Sequence, residues 1–433
     1  MSNWLNWLFS DFLLTHVGFL LALVFLANLF RQRRSPSSTV AWLLVILLAP
    51  YVGVPLYLML GGRKMSRLAR RKERIYHRPP GPSDDDYGSA VGRLLASYGI
   101  PAARAGNRVE LVTSGEVAYE RVLRLIDEAR STIHITTYIL GRDEGSKVLV
   151  EHLTRRASEG IAVRLLLDDV GSWRVGRRFL APLKAAGARV AFFMPMLHLP
   201  FRGRANLRNH RKIVVVDGRI ALTGGMNLAW PYMGPPSLKN QWQDASVVVE
   251  GPAVSDLEDL FASDWKFTTG ADPVASPGHS NPNFSQGGME STVVQVVASG
   301  PDVAGDPLYE SLLALIFSAE DRIWIVTPYF VPDEMLARAL ILATRRGVDV
   351  RLIVPARSNH LSADLARASY LRDLFNAGAR VLLYTPVVLH AKVIVFDDQL
   401  AVIGSANMDM RSLFLNYEVA LFVASPTQVA EVA

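Results

Sequence analysis

HRKIVVVDGRIALTGGMN at residues 210–227 and HAKVIVFDDQLAVIGSAN at residues 390–407 are two copies of one pattern. His210, Lys212, Asp217, Gly224 and Asn227 of the first recur at the same spacing as His390, Lys392, Asp397, Gly404 and Asn407 of the second. Reactive side chains repeated in this way point to one active site assembled from two half-sites. The repeat continues outside these stretches. YERV at 119–122 followed by IHITTY at 133–138 is matched by YESL at 309–312 followed by IWIVTPY at 323–329, and AVRLLL at 162–167 by DVRLIV at 349–354. β-Rich runs alternating with helical patterns give an α/β fold of βα units on a mixed sheet. Two such long copies are a duplicated domain and not a solenoid, which needs three or more short units. The expected organisation is two tandem βα domains related by pseudo-twofold symmetry, over residues 108–278 and 289–433. The Ser/Pro/Gly/Asn-rich stretch Ser276 to Gly288 is the junction between them.

Each His and Lys is expected to belong to a strand, since the run that continues from them is rich in Val, Ile and Phe. Residues two apart on a strand share a face, so each His and its Lys are expected to point the same way. A buried, unpaired Lys is unfavourable, which an anion arriving between the strands would relieve. Asp217-Gly218 and Asp397-Asp398 read as hairpin turns. At an odd offset from the His, each Asp is expected to brace its turn; direct participation is the alternative, and Asp217 and Asp397 join His210, Lys212, His390 and Lys392 as catalytic candidates. The small-residue turns allow backbone N–H groups and an Asn amide to approach an anion. That makes Gly224, Gly225, Asn227, Gly404, Ser405 and Asn407 candidates for binding the substrate phosphate.

Two histidines facing each other across a phosphodiester can divide the labour. One attacks phosphorus; the other protonates the leaving alkoxide and later deprotonates the acceptor. Lys and backbone donors carry the developing charge, so neither a metal nor a cofactor is expected. A nucleophilic imidazole needs an acceptor at its other nitrogen. Each half offers a carboxylate on a later strand, Asp244 in the first and Glu418 in the second, each expected to orient the His of its own half.

The 433 residues include no cysteine, which excludes disulfides, thiolate metal sites and a cysteine nucleophile. Half the residues are hydrophobic, and the net charge of +6 suits an anionic partner, either nucleic acid or an acidic lipid surface. Phe12 to Phe30 and Thr39 to Leu60 contain no Asp, Glu, Lys or Arg, and each is near the ~20 residues that cross a bilayer. Two transmembrane helices in an anchor of residues 1–62 are therefore expected. Pro50, Gly53 and Pro55 leave a re-entrant hairpin open for the second. Met1 to Asp11 has no Lys or Arg, so the anchor is read as retained rather than cleaved. Residues 63–107 read as a basic juxtamembrane segment and linker. Arg63, Lys64, Arg67, Arg70, Arg71, Lys72 and Arg74 outnumber Arg31, Arg33 and Arg34, which puts the catalytic body on the cytoplasmic side.

The two cassettes resemble the HKD motifs of the phospholipase D superfamily. Within it, the chain resembles bacterial cardiolipin synthases that carry an N-terminal membrane hairpin. The stretches NHRK at 209–212, GGMN at 224–227, EGPAV at 250–254, SGPD at 299–302, TPYFVPDE at 327–334, RRGVDVR at 345–351 and LHAK at 389–392 carry that likeness over nearly the whole chain. The resemblance implies condensation of two phosphatidylglycerols to cardiolipin with release of glycerol, through a phosphatidyl-histidine. It implies His210 as nucleophile and His390 as acid/base. Anionic lipids of the bacterial cytoplasmic membrane are the implied surroundings, with no nucleic-acid partner, and self-association is left open. Phospholipase D-type hydrolysis or transfer to another alcohol would use the same residues. An HKD nuclease is the rival enzyme, disfavoured by the two anchors and by the lack of a basic, aromatic-studded groove outside the cassettes. An inactive membrane scaffold would have lost some of the paired His, Lys and Asn, and all six are present.

This sequence departs from the family pattern in three places, one being that it stops at Ala433 within an expected helix from Thr427, where such enzymes usually continue. Ser405 stands where the first copy has Gly225, and LAWPY at 228–232 lacks the usual Gly-Asp-Glu. Among other tempting residues, His134 reads as a satisfied core histidine, and Tyr138 and Tyr329 as filling between the halves. MPMLHLPF at 194–201 is either ordinary packing or a lipid-entry lip, and Ser358-Asn359-His360 is a loop within reach of a headgroup.

Overall fold

A computed structural model of the chain describes residues 36–49, 51–54, 57, 72–76, 90–176, 178–195, 207–235, 241–277 and 292–433. The first apolar stretch, Phe12 to Phe30, and most of the 194–201 loop lie outside these residues. The chain divides into a small N-terminal unit and a large body.

In the N-terminal unit the helix Pro36–Leu48 is followed by further helical residues at 51–54 and 57. The rings of Trp42 and Tyr57 meet edge to face with centroids 5.4 Å apart, whereas one straight helix would separate the two residues by about 22 Å. The second apolar stretch therefore doubles back, burying Ile46, Val54 and Tyr57 together. Gly53 permits the close approach: a Cβ there would lie 2.4 Å from the Val45 carbonyl oxygen. Among the described residues no helix is long and apolar enough to cross a membrane. Over its described residues, the straight span expected for Thr39 to Leu60 gives way to a bent segment whose Ile46, Val54 and Tyr57 pack together against Trp42 and Leu43.

The body is built from two matching halves. The first contributes β1 (Arg104–Val112), β2 (Thr132–Thr137), β3 (Ala162–Asp168), β4 (Arg189–Phe193), β5 (Ile213–Val216), β6 (Ile220–Gly224) and β7 (Ser246–Glu250). The second contributes β8 (Thr292–Ser299), β9 (Arg322–Val326), the short β10 (Phe330–Val331), β11 (Asp349–Pro355), β12 (Arg380–Tyr384), β13 (Val393–Phe396), β14 (Leu400–Gly404), the short β15 (Met408–Asp409) and β16 (Glu418–Ala424). One 14-stranded sheet runs β12-β11-β9-β13-β14-β16-β8-β1-β7-β6-β5-β2-β3-β4. Read outward from the β8/β1 pair, both halves have the same order, so the sheet itself carries the pseudo-twofold relation. In each half the outer three strands pair in parallel, with crossover helices such as Glu144–Ser158 and Glu334–Arg345 between them. The rest is antiparallel.

The cassette strands β5 and β13 are buried at every position, which explains their unbroken apolar runs. One large core cluster lies in each half, and a third is shared, with Ile213, Val215 and Val247 from the first half against Val393, Ile403 and Leu421 from the second. This shared core holds the two cassettes face to face. Part of the expected linker belongs to the body: Ala90–Ser97 is a helix whose Val91 and Leu95, four apart, join the core of the second half, and β1 begins at Arg104.

Candidate active site

Backbone pairing across the halves determines which side chains meet. The His210 N–H donates to the Tyr417 carbonyl at 2.9 Å, and the His390 N–H to the Gln243 carbonyl at 2.6 Å. In return, Tyr417 N–H donates to Arg208 and Gln243 N–H to Val388, both at 2.9 Å. Tyr417 and Gln243 immediately precede Glu418 and Asp244, so each His is delivered to the carboxylate of the other half. His210 Nδ1 lies 3.0 Å from Glu418 Oε1 and 3.2 Å from the Ser405 carbonyl oxygen. His390 Nδ1 lies 2.7 Å from Asp244 Oδ2. Both expected carboxylates serve the histidines, but the pairing is crossed. The own-half expectation fails because the two cassettes lie against each other, and the strand following each cassette leads back to the opposite His.

Each Lys lies beside its His, although the two residues precede strands β5 and β13, which begin at Ile213 and Val393, and do not belong to them as the sequence reading expects. Lys212 Nζ donates to the His210 carbonyl at 2.7 Å, and Lys392 Nζ lies 2.6 Å from His390 Nδ1. All four side chains are largely removed from water, and burial is the main reason their pKa values fall. His210 is lowered, with Glu418 opposing the shift and Lys212 adding to it. His390 is lowered to about 3, Lys392 adding to the effect. Lys212 falls to about 7 and Lys392 to about 8. For Glu418, burial pushes the other way, but His210, Lys212 and the Ser405 hydroxyl hold its carboxyl below the usual range. Two neutral imidazoles beside two weakly held ammonium charges make a site that gains from receiving an anion.

The small-residue turns act differently from the expected backbone cradle. Gly225 N–H donates to Ala245, Gly404 N–H to Lys392 and Ser405 N–H to Val419, so these amides are spent within the fold. Steric space is what the glycines supply. A Cβ on Gly225 would stand 2.1 Å from Asp244 Oδ1, and one on Gly224, whose φ is +150°, would stand 2.5 Å from Ser246 Cα. Ser405, the counterpart of Gly225, donates its hydroxyl to Glu418 Oε2 at 2.5 Å. Thus the first copy clears room for its carboxylate while the second copy grips its own. The two Asn also differ. Asn227 accepts from Ile139 N–H at 3.1 Å and leaves its buried amide nitrogen without a hydrogen-bond partner, whereas Asn407 donates to Ser412 Oγ at 3.1 Å.

Asp217 and Asp397 do not reach the histidines. Five residues of extended chain separate Lys212 from Asp217, on the order of 16 Å. Asp217 sits at φ 55° and accepts from the backbone N–H groups of Arg130, Ser131 and Thr132 at 2.8–2.9 Å, and from the Ser131 hydroxyl. Asp397, at φ 49°, accepts from Glu320, Asp321 and Arg322 N–H groups. Each carboxylate ties the cassette hairpin to the start of the neighbouring strand. Asp217→Ala is accordingly expected to destabilise the fold by about 1–3 kcal/mol, seen as a lower melting temperature, while turnover at a permissive temperature stays within a few-fold. A loss of turnover as large as that of a histidine variant, in folded protein, would return Asp217 to the chemistry.

Aromatic rings complete the surroundings, and the sequence reading undervalued them. Tyr138 lies with its ring centroid 4.9 Å from His210; Tyr232 and Trp242 lie 4.9 and 5.4 Å from His390. Tyr329, the counterpart of Tyr138, is 6.4 Å from His390, and its hydroxyl donates to Asn359 of the 358–360 loop. The recurrence of Tyr138 and Tyr329 was a usable signal; Tyr232 and Trp242 have no counterparts and gave none. His134 is wholly buried, with Nδ1 against Glu258 at 2.6 Å, its ring stacked on Phe261 and its Nε2 unpartnered.

A family model described as "Cardiolipin synthase, PLD-like domain" matches residues 122–265 and 312–433, one match in each half. A second, "Phospholipase_D-nuclease N-terminal", matches residues 20–62. Cardiolipin synthase 1 of Bacillus cereus is 35% identical over 413 residues, which cover 90% of this chain and 80% of the relative. The cardiolipin synthase of Geobacillus kaustophilus is 35% identical over 438 residues, covering 96% and 84%. Among solved structures, phosphatidylserine synthase from Haemophilus influenzae superposes with a TM-score of 0.61 at 16% identity, over 79% of this chain and 89% of that one. That likeness concerns the fold alone.

Proposed function

The chain belongs to the cardiolipin synthase family of proteins with PLD-like domains, a family of phosphatidyltransferases, and we propose a two-histidine phosphatidyl transfer at the crossed site. The observation that carries this reading is the crossing itself, His210 on Glu418 and His390 on Asp244. Neither half holds a complete dyad without the other.

His210 Nδ1 meets only oxygen acceptors, Glu418 and the Ser405 carbonyl, so its proton resides there and Nε2 presents a lone pair. His390 Nδ1 meets the Lys392 ammonium as well as Asp244. Asp244, at 2.7 Å, accepts from Nδ1–H, and the ring becomes the imidazolium an acid needs by carrying a second proton at Nε2. Lys392 Nζ stands 2.6 and 3.3 Å from the two ring nitrogens, so the order of roles, His210 as nucleophile and His390 as acid, follows the phospholipase D resemblance. His210 Nε2 attacks the phosphorus of one phosphatidylglycerol, forming a P–N bond, while the P–O bond to glycerol breaks and the glycerol oxygen takes the His390 proton. A hydroxyl of a second phosphatidylglycerol then gives its proton to His390 and attacks phosphorus. The P–N bond breaks, and cardiolipin is the product. Lys212, Lys392 and the free amide of Asn227 bind the phosphate oxygens. The aromatic rings around the histidines limit entry of water, which would otherwise turn transfer into hydrolysis.

Anchorage in the bacterial cytoplasmic membrane, with the body on the cytoplasmic side, is part of the proposal. The match at residues 20–62 and the apolar N-terminal stretches support it, and the doubled-back packing of Trp42 on Tyr57 favours a re-entrant second segment. Leu44, Leu47 and Leu48 in that segment are exposed. The decisive experiment incubates the protein with phosphatidylglycerol vesicles, alone and with phosphatidylethanolamine, and follows lipids by mass spectrometry. Cardiolipin with stoichiometric glycerol is expected; phosphatidic acid as the sole product would make the protein a hydrolase.

The lysines give a pH dependence. With pKa values near 7 and 8 in the free protein, Lys212 and Lys392 lose their protons as the pH rises through that range, and attraction for the phosphodiester weakens. KM for phosphatidylglycerol is therefore expected to rise above pH 8. Binding should take up protons near pH 8, detectable as a buffer-dependent heat in calorimetry. A KM that stays flat to pH 10 would show that the two ammonium charges are not what holds the phosphate.

A further inference from the structure

Arg211 lies between His210 and Lys212 and is fully buried. It turns away from its neighbours into a closed set of charges. Its guanidinium donates to Asp264 Oδ1 at 2.8 Å, approaches Asp302 at 3.4 Å and donates through Nε to the backbone carbonyl of Glu418 at 3.2 Å. Asn209 Nδ2 donates to the other Asp264 oxygen at 2.9 Å, and Asn209 Oδ1 accepts from Arg211 N–H. The fourth charge comes from far away in sequence. Lys72 Nζ donates to Asp302 Oδ2 at 2.6 Å and pairs with Asp264. Lys72 and Arg211 also stand over the ring of Tyr417, at 4.8 and 5.5 Å, and Tyr417 is the residue whose carbonyl receives the His210 N–H.

Two cations and two carboxylates make this buried set neutral only while Lys72 is in place. Lys72 was read from the sequence as part of a basic juxtamembrane run. It is instead removed from solvent inside the body, while Arg74 of the same run stays exposed. The second half has no such support, because Leu389 and Ala391 occupy the places of Asn209 and Arg211. Only the His210–Glu418 pair is underlain by these charges.

We propose that Lys72 is a positioning residue for the His210–Glu418 pair: by neutralising Asp264 and Asp302 it holds Arg211, and through Arg211 the segments that carry both members of the pair. The inference rests on His210 being the nucleophile. It means that the segment leading out of the N-terminal region completes the first half-site through Lys72. With a neutral side chain in place of Lys72, one carboxylate of the pair lacks a counter-charge in a dry site and draws Arg211 away from the Glu418 carbonyl.

The test uses the full-length protein with Lys72→Met, Lys72→Arg and the charge-balanced Lys72→Met/Asp302→Asn, assayed on phosphatidylglycerol vesicles. Formation of the His210-linked phosphatidyl intermediate is followed by rapid quench with labelled lipid. Lys72→Met is expected to slow intermediate formation at least about 10-fold with KM within about 2-fold. It should also move the acidic limb of the rate profile upward by about one pH unit, since the added negative charge favours protonated His210. The groups already facing that imidazole, Glu418, Lys212, Lys392, Asp409 and Tyr138, are unchanged in the variant. Lys72→Arg and the balanced double variant should recover most of the rate and the original limb.

Wild-type rates in Lys72→Met overturn the proposal. So does a double variant that fails to fold, or that folds and is no faster than the single. Because intermediate formation is read directly, a wild-type protein that forms the intermediate and hydrolyses it would defeat the synthase assignment while leaving the role of Lys72 measurable.

Discussion

His210→Ala is expected to reduce cardiolipin formation by 10³-fold or more, on the order seen when a covalent nucleophile is removed, and to abolish the phosphatidyl-enzyme. His390→Ala should produce a comparable loss in steady state with a different signature. It keeps the attacking nitrogen, so a substrate whose leaving group needs no protonation, such as a p-nitrophenyl phosphodiester, should still label the protein. Deacylation-like release from His210 would then be slow, because no base remains to take the proton of the incoming hydroxyl. Rapid-quench labelling followed by peptide mapping separates the two. Label on His390 in the wild type, or labelling that survives His210→Ala, would reverse the assignment of roles. The crossed carboxylates orient both rings, and the stated order is the one the phospholipase D resemblance implies.

Glu418→Gln is expected to phenocopy a damaged first half-site and Asp244→Asn a damaged second, each slowing turnover by roughly 10²–10⁴-fold with little change in KM. An amide of the same shape keeps the packing but presents a donor where His needs an acceptor, so the imidazole is driven toward the wrong tautomer. Glu418→Gln should therefore lose labelling of His210 even with the activated substrate, although Glu418 lies in the half of the chain that contains His390. Asp244→Asn should retain it, although Asp244 lies in the half that contains His210. The opposite pattern, Asp244→Asn losing label and Glu418→Gln keeping it, would mean that the dyads form within halves. The Gly225/Ser405 difference sharpens the expectation. Ser405 holds Glu418 through its hydroxyl, so Ser405→Ala should weaken the first half-site as a milder version of Glu418→Gln.

Much of the site was legible because its elements are local. The spacing of His, Lys and Asp within a cassette is a statement about one strand and one turn, and strand periodicity placed Lys212 beside His210 and pointed Asp217 away. The Asp residues could be read as braces for the same reason, since an Asp that follows a β-branched or aromatic run and precedes Gly218 or Asp398 belongs to a hairpin. Other features were not legible. Gly225 looked like an anion-binding turn residue, but its N–H is used by Ala245 and its value lies in the space it gives Asp244. Lys72 looked like one of many surface cations, because composition cannot show that a charge has two carboxylates waiting for it.

The sequence by itself determined the duplicated α/β body and singled out the His and Lys pairs proposed to bind an anionic phosphodiester, since both follow from repeat spacing and local periodicity. Only the tertiary structure decided which carboxylate serves which histidine, that Arg211 and Lys72 close a buried charge set beneath one half-site, and that the second apolar stretch doubles back. Those depend on contacts between residues far apart in the chain. The pseudo-twofold packing of two similar halves brings Tyr417 to His210 and Gln243 to His390, and nothing in the spacing within either copy encodes that exchange.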